Sequence, residues 1–129
     1  GVLMQDRFKF RVWNKNDKKM CEAEGVYGYT DESTMGGEVF VTGYKTSFYF
    51  PEEVYVMQCT GLKDKNGKLI YEGDIVKQNN TIYSVNWFNG SFCFKDTLNG
   101  KNYTVEFVMS EKQEVIGNIY ETPELLESN

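Results

Sequence analysis

A pair of carboxylates two residues apart, Glu72 and Asp74, is the first candidate for chemistry in the sequence. Paired carboxylates can hold a hard cation or serve as a general acid and a general base. The alternative is a tight turn around Gly73, in which the Asp74 side chain accepts hydrogen bonds from nearby backbone N–H groups. No third ligand lies at a usable spacing, so the sequence favours the turn, and we predict no metal and no cofactor.

The histidine and cysteine content excludes several classes of catalytic site. The chain contains no histidine, which excludes Ser-His-Asp triads and every metal site that needs a histidine ligand. The cysteines Cys21, Cys59 and Cys93 are odd in number and lack CxxC spacing, a pattern typical of free thiols in a reducing compartment. Cys93 falls on the predicted polar face of a strand, so we expect it to be the accessible thiol. Because no histidine can activate a thiol, we predict no catalytic residue.

Two groups of side chains could instead bind a macromolecule. Lys63, Lys65 and Lys68 crowd one predicted hairpin tip, where they could meet nucleic-acid phosphates or simply keep an edge hairpin soluble. Tyr49 lies in an aromatic stretch at residues 44–50. This stretch is either an exposed patch for a partner or a second copy of the chain, or a strand with one face in the core and Tyr49 facing outward. These four residues form the candidate interaction surface.

The charge distribution opposes binding to nucleic acid. The net charge is −5, and residues 106–129 hold six Glu against a single basic residue, Lys112. Non-specific affinity for DNA comes from clustered Lys and Arg, so a neutral body with an acidic end is a poor electrostatic partner for it. No apolar run approaches the ~18–20 residues that span a bilayer, and no membrane partner is expected.

Length and composition indicate the elements that must position these residues. The chain has 129 residues, of which 40% are hydrophobic, 26% charged and 16% aromatic, as in a globular protein rich in β-structure. Residues 8–12 alternate between apolar and basic side chains, which predicts a half-buried strand in a first hairpin. Capping residues predict short helical turns at residues 110–113 and 122–126. The pattern of short strands and Gly turns after residue 60 favours a small closed barrel.

Two Asn-Gly pairs predict the register of a three-stranded meander. Such pairs are typical of two-residue type I′ turns, and the chain has them at residues 89–90 and 99–100. The first turn places Trp87 opposite Phe92, and the second places Phe94 opposite Val105. The apolar side chains then share one face, which predicts that Trp87 and Phe92 lie in the core.

Three blocks of the sequence resemble the YopX family of phage and prophage proteins. They are residues 8–20, which begin FKFRVWN, residues 58–76, which contain QCTGLKDKNGK and IYEGDIV, and residues 114–126, which read EVIGNIYETPELL. The blocks stand in the family's order and cover both ends and the middle of the chain. Residues 27–56 and 81–104 carry none of the resemblance.

The resemblance implies an SH3-like barrel in the C-terminal half, in agreement with the hairpin pattern. The expected fold is therefore mainly β, with a β-rich hairpin and sheet region at residues 1–60 packed against an SH3-like barrel at residues 61–129, and with few short helical turns. We expect the two regions to form one cooperative unit. The resemblance also implies a gene of a temperate phage, expressed in bacterial cytoplasm, and it implies no chemistry.

Three hypotheses for the function follow. The leading one is a non-enzymatic phage accessory protein that binds another macromolecule, either a host or phage protein or a second copy of itself. The rival is a nucleic-acid-binding protein that uses the C-terminal barrel and its lysine hairpin. The third is an enzyme built on Asp and Glu alone. Salt dependence separates the first two, because phosphate contacts weaken steeply with added salt.

Overall fold

The computed structural model describes residues 8–23, 25–31, 34–42, 47–49, 53–104 and 110–127, with side chains for residues 8–23, 53–104 and 111–127. Within these residues the chain is built from antiparallel strands and has short 3₁₀ helices at Ser110–Lys112 and Pro123–Leu126. The predictions of a mainly β fold and of these short helical turns are confirmed.

The described strands form three sheets. In chain order they are β1 (Phe10–Asn14), β2 (Lys19–Ala23), β3 (Gly25–Asp31), β4 (Thr34–Thr42), β5 (Ser47–Tyr49), β6 (Val54–Lys63), β7 (Leu69–Tyr71), β8 (Asp74–Gln78), β9 (Thr81–Phe88), β10 (Ser91–Asp96), β11 (Asn102–Thr104) and β12 (Glu114–Asn118). The sheet orders are β2-β1-β6-β7, β11-β10-β9-β8-β12 and β3-β4-β5. The curled sheets form a half-barrel, whereas closure into an SH3-like barrel stays a prediction.

The first hairpin forms where the sequence predicts it, but β1 is covered on both faces. β1 pairs with β2 on one side and with β6 on the other. The Asn14 side-chain oxygen accepts hydrogen bonds from the backbone N–H groups of Asn16 (2.9 Å) and Asp17 (3.2 Å), which fixes the turn. Val12 and Arg11 point to opposite faces of the strand, and both are buried. The prediction of a half-buried strand therefore missed the second covered face.

The β9–β10 hairpin confirms the register predicted from its Asn-Gly turn. Trp87 lies opposite Phe92. Asn89 and Gly90 have φ angles of 50° and 82°, and a type I′ turn requires positive φ at both central positions.

The second predicted turn is wrong. Phe94 lies opposite Tyr103, whereas a two-residue turn would place it opposite Val105, which lies outside the described residues. The Asp96 carboxylate accepts a hydrogen bond from the Leu98 N–H at 2.8 Å, and the Asp96 N–H donates to the Lys101 carbonyl at 2.9 Å. This side chain stabilises a four-residue loop, and the register shifts by two residues. Because the shift is even, each side chain of β10 keeps its predicted face.

The core of the five-stranded sheet lies in the middle of the strands. Ile70, Val76, Val85 and Phe94 form one fully buried cluster. The prediction that Cys93 is accessible is wrong: Cys93 is only 4% exposed, whereas Cys21 is the exposed thiol among three free cysteines. Alternation identified the face that carries Cys93, but it could not show that this face is also covered.

The predicted boundary between residues 1–60 and 61–129 falls inside β6. This strand pairs with β1 along its first half and with β7 toward its end. One strand therefore belongs to both predicted regions. The single cooperative unit stays a prediction, which unfolding experiments can test.

Candidate functional site

The turn between β7 and β8 contains the two candidate carboxylates. Asp74 Oδ2 accepts a hydrogen bond from the Tyr71 backbone N–H at 2.8 Å. Gly73 has a φ of 87°, in the left-handed region that favours glycine. Its N–H donates to the Val85 carbonyl at 2.8 Å, and its carbonyl accepts from the Ile119 N–H at 2.9 Å. The side chain of Asp74 closes a turn, as the sequence favoured, and the backbone of Gly73 joins β9 to the segment after β12.

Arg11 of β1 completes the surroundings of Asp74. Its Nη2 lies 2.8 Å from Asp74 Oδ1, and the two side chains are 10% and 2% exposed. The same nitrogen donates to the Glu72 carbonyl at 3.1 Å. The guanidinium carbon lies 4.8 Å from the centroid of the Tyr71 ring, within range of a cation–π interaction. Both oxygens of Asp74 are thus engaged by the fold, which argues against a catalytic or metal-binding role.

Burial dominates the ionisation of this cluster. It raises the pKa of Asp74, although the Arg11 guanidinium and the Tyr71 N–H oppose the effect. Burial also raises the pKa of Tyr71 to about 12, so the hydroxyl stays protonated at neutral pH. Shifted pKa values indicate functional sites, but structural ion pairs produce them as well. Here the pair joins the four-stranded sheet to the first turn of the five-stranded sheet.

A cleft of about 590 Å³ lies beside the ion pair. Its walls come from β2, the β6–β7 hairpin and β12, and its charged side chains are Arg11, Glu22, Lys68, Asp74 and Glu121. The volume is within the range of small-molecule pockets. Two cations and three carboxylates line it, and two of these charged side chains, Arg11 and Asp74, form the buried ion pair. In the part of the chain that the structure describes, no three Asp, Glu or Cys side chains are placed to hold a metal ion.

The predicted lysine tip is exposed. Lys63, Lys65 and Lys68 all reach solvent at the β6–β7 hairpin. The Lys65 Nζ lies 3.6 Å from Glu114 Oε2, and Lys68 lines the cleft. The structure therefore brings the three lysines together, but it places carboxylates next to them.

Asp64 organises this hairpin and ties it to β12. Its Oδ1 accepts hydrogen bonds from the backbone N–H groups of Asn66 (2.8 Å) and Lys68 (2.9 Å), and its Oδ2 accepts from that of Val115 (3.0 Å). Burial raises the pKa of Asp64, but these hydrogen bonds and the Lys68 charge outweigh it, and the pKa lies below its ordinary value of 3.8. The contact with Val115 was not predicted. The Asp-Lys-Asn-Gly pattern signals only the local turn.

Tyr49, the fourth predicted interaction residue, lies in β5 opposite Val39. Its side chain falls outside the described residues. Its outward orientation therefore stays a prediction.

The end of the β9–β10 hairpin carries exposed aromatic rings, and one of them, Trp87, was predicted to lie in the core. Trp87 is 55% exposed and Phe88 is 47% exposed. The Trp87 ring meets the Phe92 ring edge-on, with centroids 4.8 Å apart. The core ends at Val85 and Phe94, two residues before this point. We call residues 87–92 the aromatic tip.

The aromatic tip is uncharged and presents aromatic rings on two faces. Residues 78–94 include no charged side chain, in a chain that is 26% charged. Trp87 and Phe88 are successive residues of a strand, so their side chains point to opposite faces of the hairpin. The tip therefore presents aromatic surface on both faces. An uncharged stretch around an aromatic pair is the sequence signal that could have identified it.

Comparison with known proteins identifies the family. The search of curated proteins gives no match, and the described part of the chain has no helix with the length and apolar character needed to cross a membrane. The chain is similar to the crystal structure of protein EF1440 from Enterococcus faecalis, with 29% identity and a TM-score of 0.60 over 92% of this chain and 96% of that one. The family model of the YopX protein matches residues 9–127, which confirms the resemblance found in the sequence. The chain belongs to the YopX family.

Proposed function

We propose that the protein is a non-enzymatic accessory protein of a temperate phage or prophage, which acts in the bacterial cytoplasm by binding another protein through its aromatic tip. The observation that carries this proposal is the exposure of Trp87 and Phe88 at the end of a defined hairpin. Exposed aromatic patches mark interaction sites in soluble proteins, and Trp is enriched among the residues that dominate binding energy. The phage setting rests on the resemblance to phage and prophage proteins.

The geometry of the tip favours binding because the rings are already ordered. The type I′ turn at Asn89 and Gly90 fixes the ends of the two strands. The contact between Trp87 and Phe92 restricts both rings before any partner arrives. Pre-organised contact residues lose less conformational entropy on binding, so more of their contact energy appears as affinity.

The state of the buried and hydrogen-bonded carboxylates supports a non-enzymatic role. Asp74 holds Arg11 and the Tyr71 N–H, and Asp64 holds three backbone N–H groups. A general base must be free to take a proton from a substrate. Because these two side chains are engaged in the fold, an enzyme built on them is the weakest of the three hypotheses.

Nucleic acid is the second candidate partner. Exposed Lys63 and Lys68 could meet phosphates, and the rings of the tip could stack on bases. The two features do not combine well, because residues 78–94 carry no cation beside the rings. Lys65 also lies next to the Glu114 carboxylate. A protein partner therefore fits the tip better.

The experiment is affinity purification of the tagged protein from host cells, followed by mass spectrometry. It compares the wild type, the double variant Trp87→Ala/Phe88→Ala and the control Leu98→Ala. Leu98 is 70% exposed in the loop at the opposite end of β10, so it matches the tip in apolar exposure. We expect the wild type and the control to recover the same partner, and the double variant to lose it by roughly tenfold or more.

Equal recovery of that partner by all three proteins would contradict the proposal. Circular dichroism of each variant checks that the fold is retained. Release of the bound material by nuclease would instead assign the partner as nucleic acid, and its affinity should then fall steeply as salt is raised from ~0.05 M to ~0.2 M.

A further inference from the structure

We infer that the aromatic tip inserts into an uncharged, apolar groove of its protein partner, with one wall of the groove against Trp87 and the other against Phe88. This inference rests on the proposed function and adds the shape and the chemistry of the partner surface.

We infer the shape of the groove from the exposure of aromatic rings on both faces of the tip. Trp87 and Phe88 are each about half exposed and project from opposite faces of one strand. A flat partner could cover only one of these rings and would leave the other in water. A groove that receives the end of the hairpin covers both, and it buries the largest apolar area that this part of the chain offers.

We infer the apolar character of the groove from the lack of charged side chains around the tip. A charged group in the groove wall would lose its hydration without meeting an opposite charge, because residues 78–94 contain none. The polar side chains beside the rings are also partly occupied. The Asn86 amide donates to the Ser84 carbonyl at 3.2 Å and to its hydroxyl at 3.0 Å, and the Ser91 hydroxyl lies 3.6 Å from the Cys93 sulfur. These polar side chains therefore need few hydrogen bonds from a partner.

A second copy of the chain fits the tip less well. Two tips that stacked on each other would cover one face each and leave the second ring exposed. The cleft described above is lined by five charged side chains, which suits an uncharged aromatic insert poorly. Among the described residues, this cleft therefore offers no match for the tip, and the proposed complementary groove belongs to a different protein.

Photo-crosslinking in host cells tests the two-sided contact. The variants are Trp87→p-benzoylphenylalanine and Phe88→p-benzoylphenylalanine, with Leu98→p-benzoylphenylalanine as the exposed control. We expect positions 87 and 88 to crosslink to the same polypeptide and position 98 to give no such product. A crosslink from only one of the two tip positions, or crosslinks to two different polypeptides, would overturn the groove while leaving the proposed function intact.

Other outcomes assign other occupants. A product with twice the mass of this chain from both positions would identify a second copy. A further experiment sediments the protein with vesicles of phosphatidylethanolamine and phosphatidylglycerol. If the wild type sediments with them and Trp87→Ala/Phe88→Ala does not, the tip binds a lipid surface. Either result overturns the inference. Absence of any crosslink at both tip positions would overturn the proposed function as well.

Discussion

At the scale of single residues, the buried pair of Arg11 and Asp74 links the two predicted regions of the chain. The residues lie far apart in sequence, and their side chains are almost fully removed from water. Alternation in β1 predicts a solvated position for Arg11, because local sequence shows no partner for it. The pair forms only when the turn after β7 packs against β1.

Breaking this pair should be costly. We expect Arg11→Met to lower the free energy of unfolding by about 3–5 kcal/mol, because the Asp74 charge stays buried without its partner. Lys65→Met is the control, since its half-exposed pair with Glu114 is worth at most about 1 kcal/mol. The double variant Arg11→Met/Asp74→Asn should recover part of the loss. Urea unfolding measures all three, and equal effects of Arg11→Met and Lys65→Met would contradict the role of burial.

Asp64 should make the protein sensitive to acid. Its pKa is lower in the folded state than its ordinary value of 3.8, so the unfolded chain binds the proton first as the pH falls. The stabilisation is complete above about pH 4 and is lost as the pH drops through the folded-state pKa. Asp64→Asn should therefore be less stable at neutral pH and should lose less stability below pH 4 than the wild type.

The control for this prediction is Asp17→Asn, a change at an exposed turn. The measurement is urea unfolding at a series of pH values. The raised pKa of Asp74 affects stability around and above pH 3.8, and it stops interfering only well below pH 3.8, where that carboxyl is protonated in both the folded and the unfolded state. If the free energy of unfolding of Asp64→Asn falls with decreasing pH as steeply as that of the wild type, the hydrogen bonds to Asp64 are not the cause of the acid sensitivity.

At the scale of elements, the middle of β10 should contribute far more stability than its start. Phe94 is fully buried in the core cluster, whereas Phe92 lies in the aromatic tip. Phe94→Ala should cost about 3–5 kcal/mol through lost burial and a cavity. Phe92→Ala should cost clearly less. Thermal unfolding compares the two variants, and a larger loss for Phe92→Ala would mean that the tip is packed and not available to a partner.

The β9–β10 and β10–β11 hairpins show what the sequence could and could not predict. The first register follows from Asn89-Gly90, because the conformation of a type I′ turn is a local property. The second Asn-Gly pair does not form a two-residue turn, because the Asp96 carboxylate accepts backbone hydrogen bonds that stabilise a longer loop. Both kinds of turn are local, and the sequence offers no measure of which is stronger.

Burial was harder to predict than pairing. The register of Trp87 and Phe92 was correct, but their place in the core was not. Alternation assigns side chains to faces, and it does not show how far along the strand the covering layer extends. For the same reason Cys93 was expected at the surface, and the exposed aromatic tip was missed as a candidate site.

At the scale of the whole molecule, the two tryptophans provide independent reporters. Trp13 in β1 stacks on Tyr120, with ring centroids 5.8 Å apart, and Trp87 lies in the five-stranded sheet. We expect one unfolding transition, because β6 belongs to both predicted regions and Arg11 joins the sheets. Cooperative unfolding gives the same midpoint for every probe.

The experiment uses Trp87→Phe to isolate the Trp13 signal and Trp13→Phe to isolate that of Trp87. In each variant the fluorescence midpoint in urea should coincide with the midpoint from circular dichroism. Separate midpoints within one variant would show that residues 1–60 and 61–129 unfold as independent units.

The place of β12 in the five-stranded sheet also bears on how the protein is made. β8 pairs with β9 soon after both are synthesised, but its other edge waits for β12. Asp64 and Gly73 likewise acquire their last hydrogen bonds from Val115 and Ile119. Until β12 has emerged from the ribosome these edges stay open, and open edges invite pairing with other chains. The incomplete chain is therefore more exposed to aggregation than the finished fold, in which β12 covers the edge of β8.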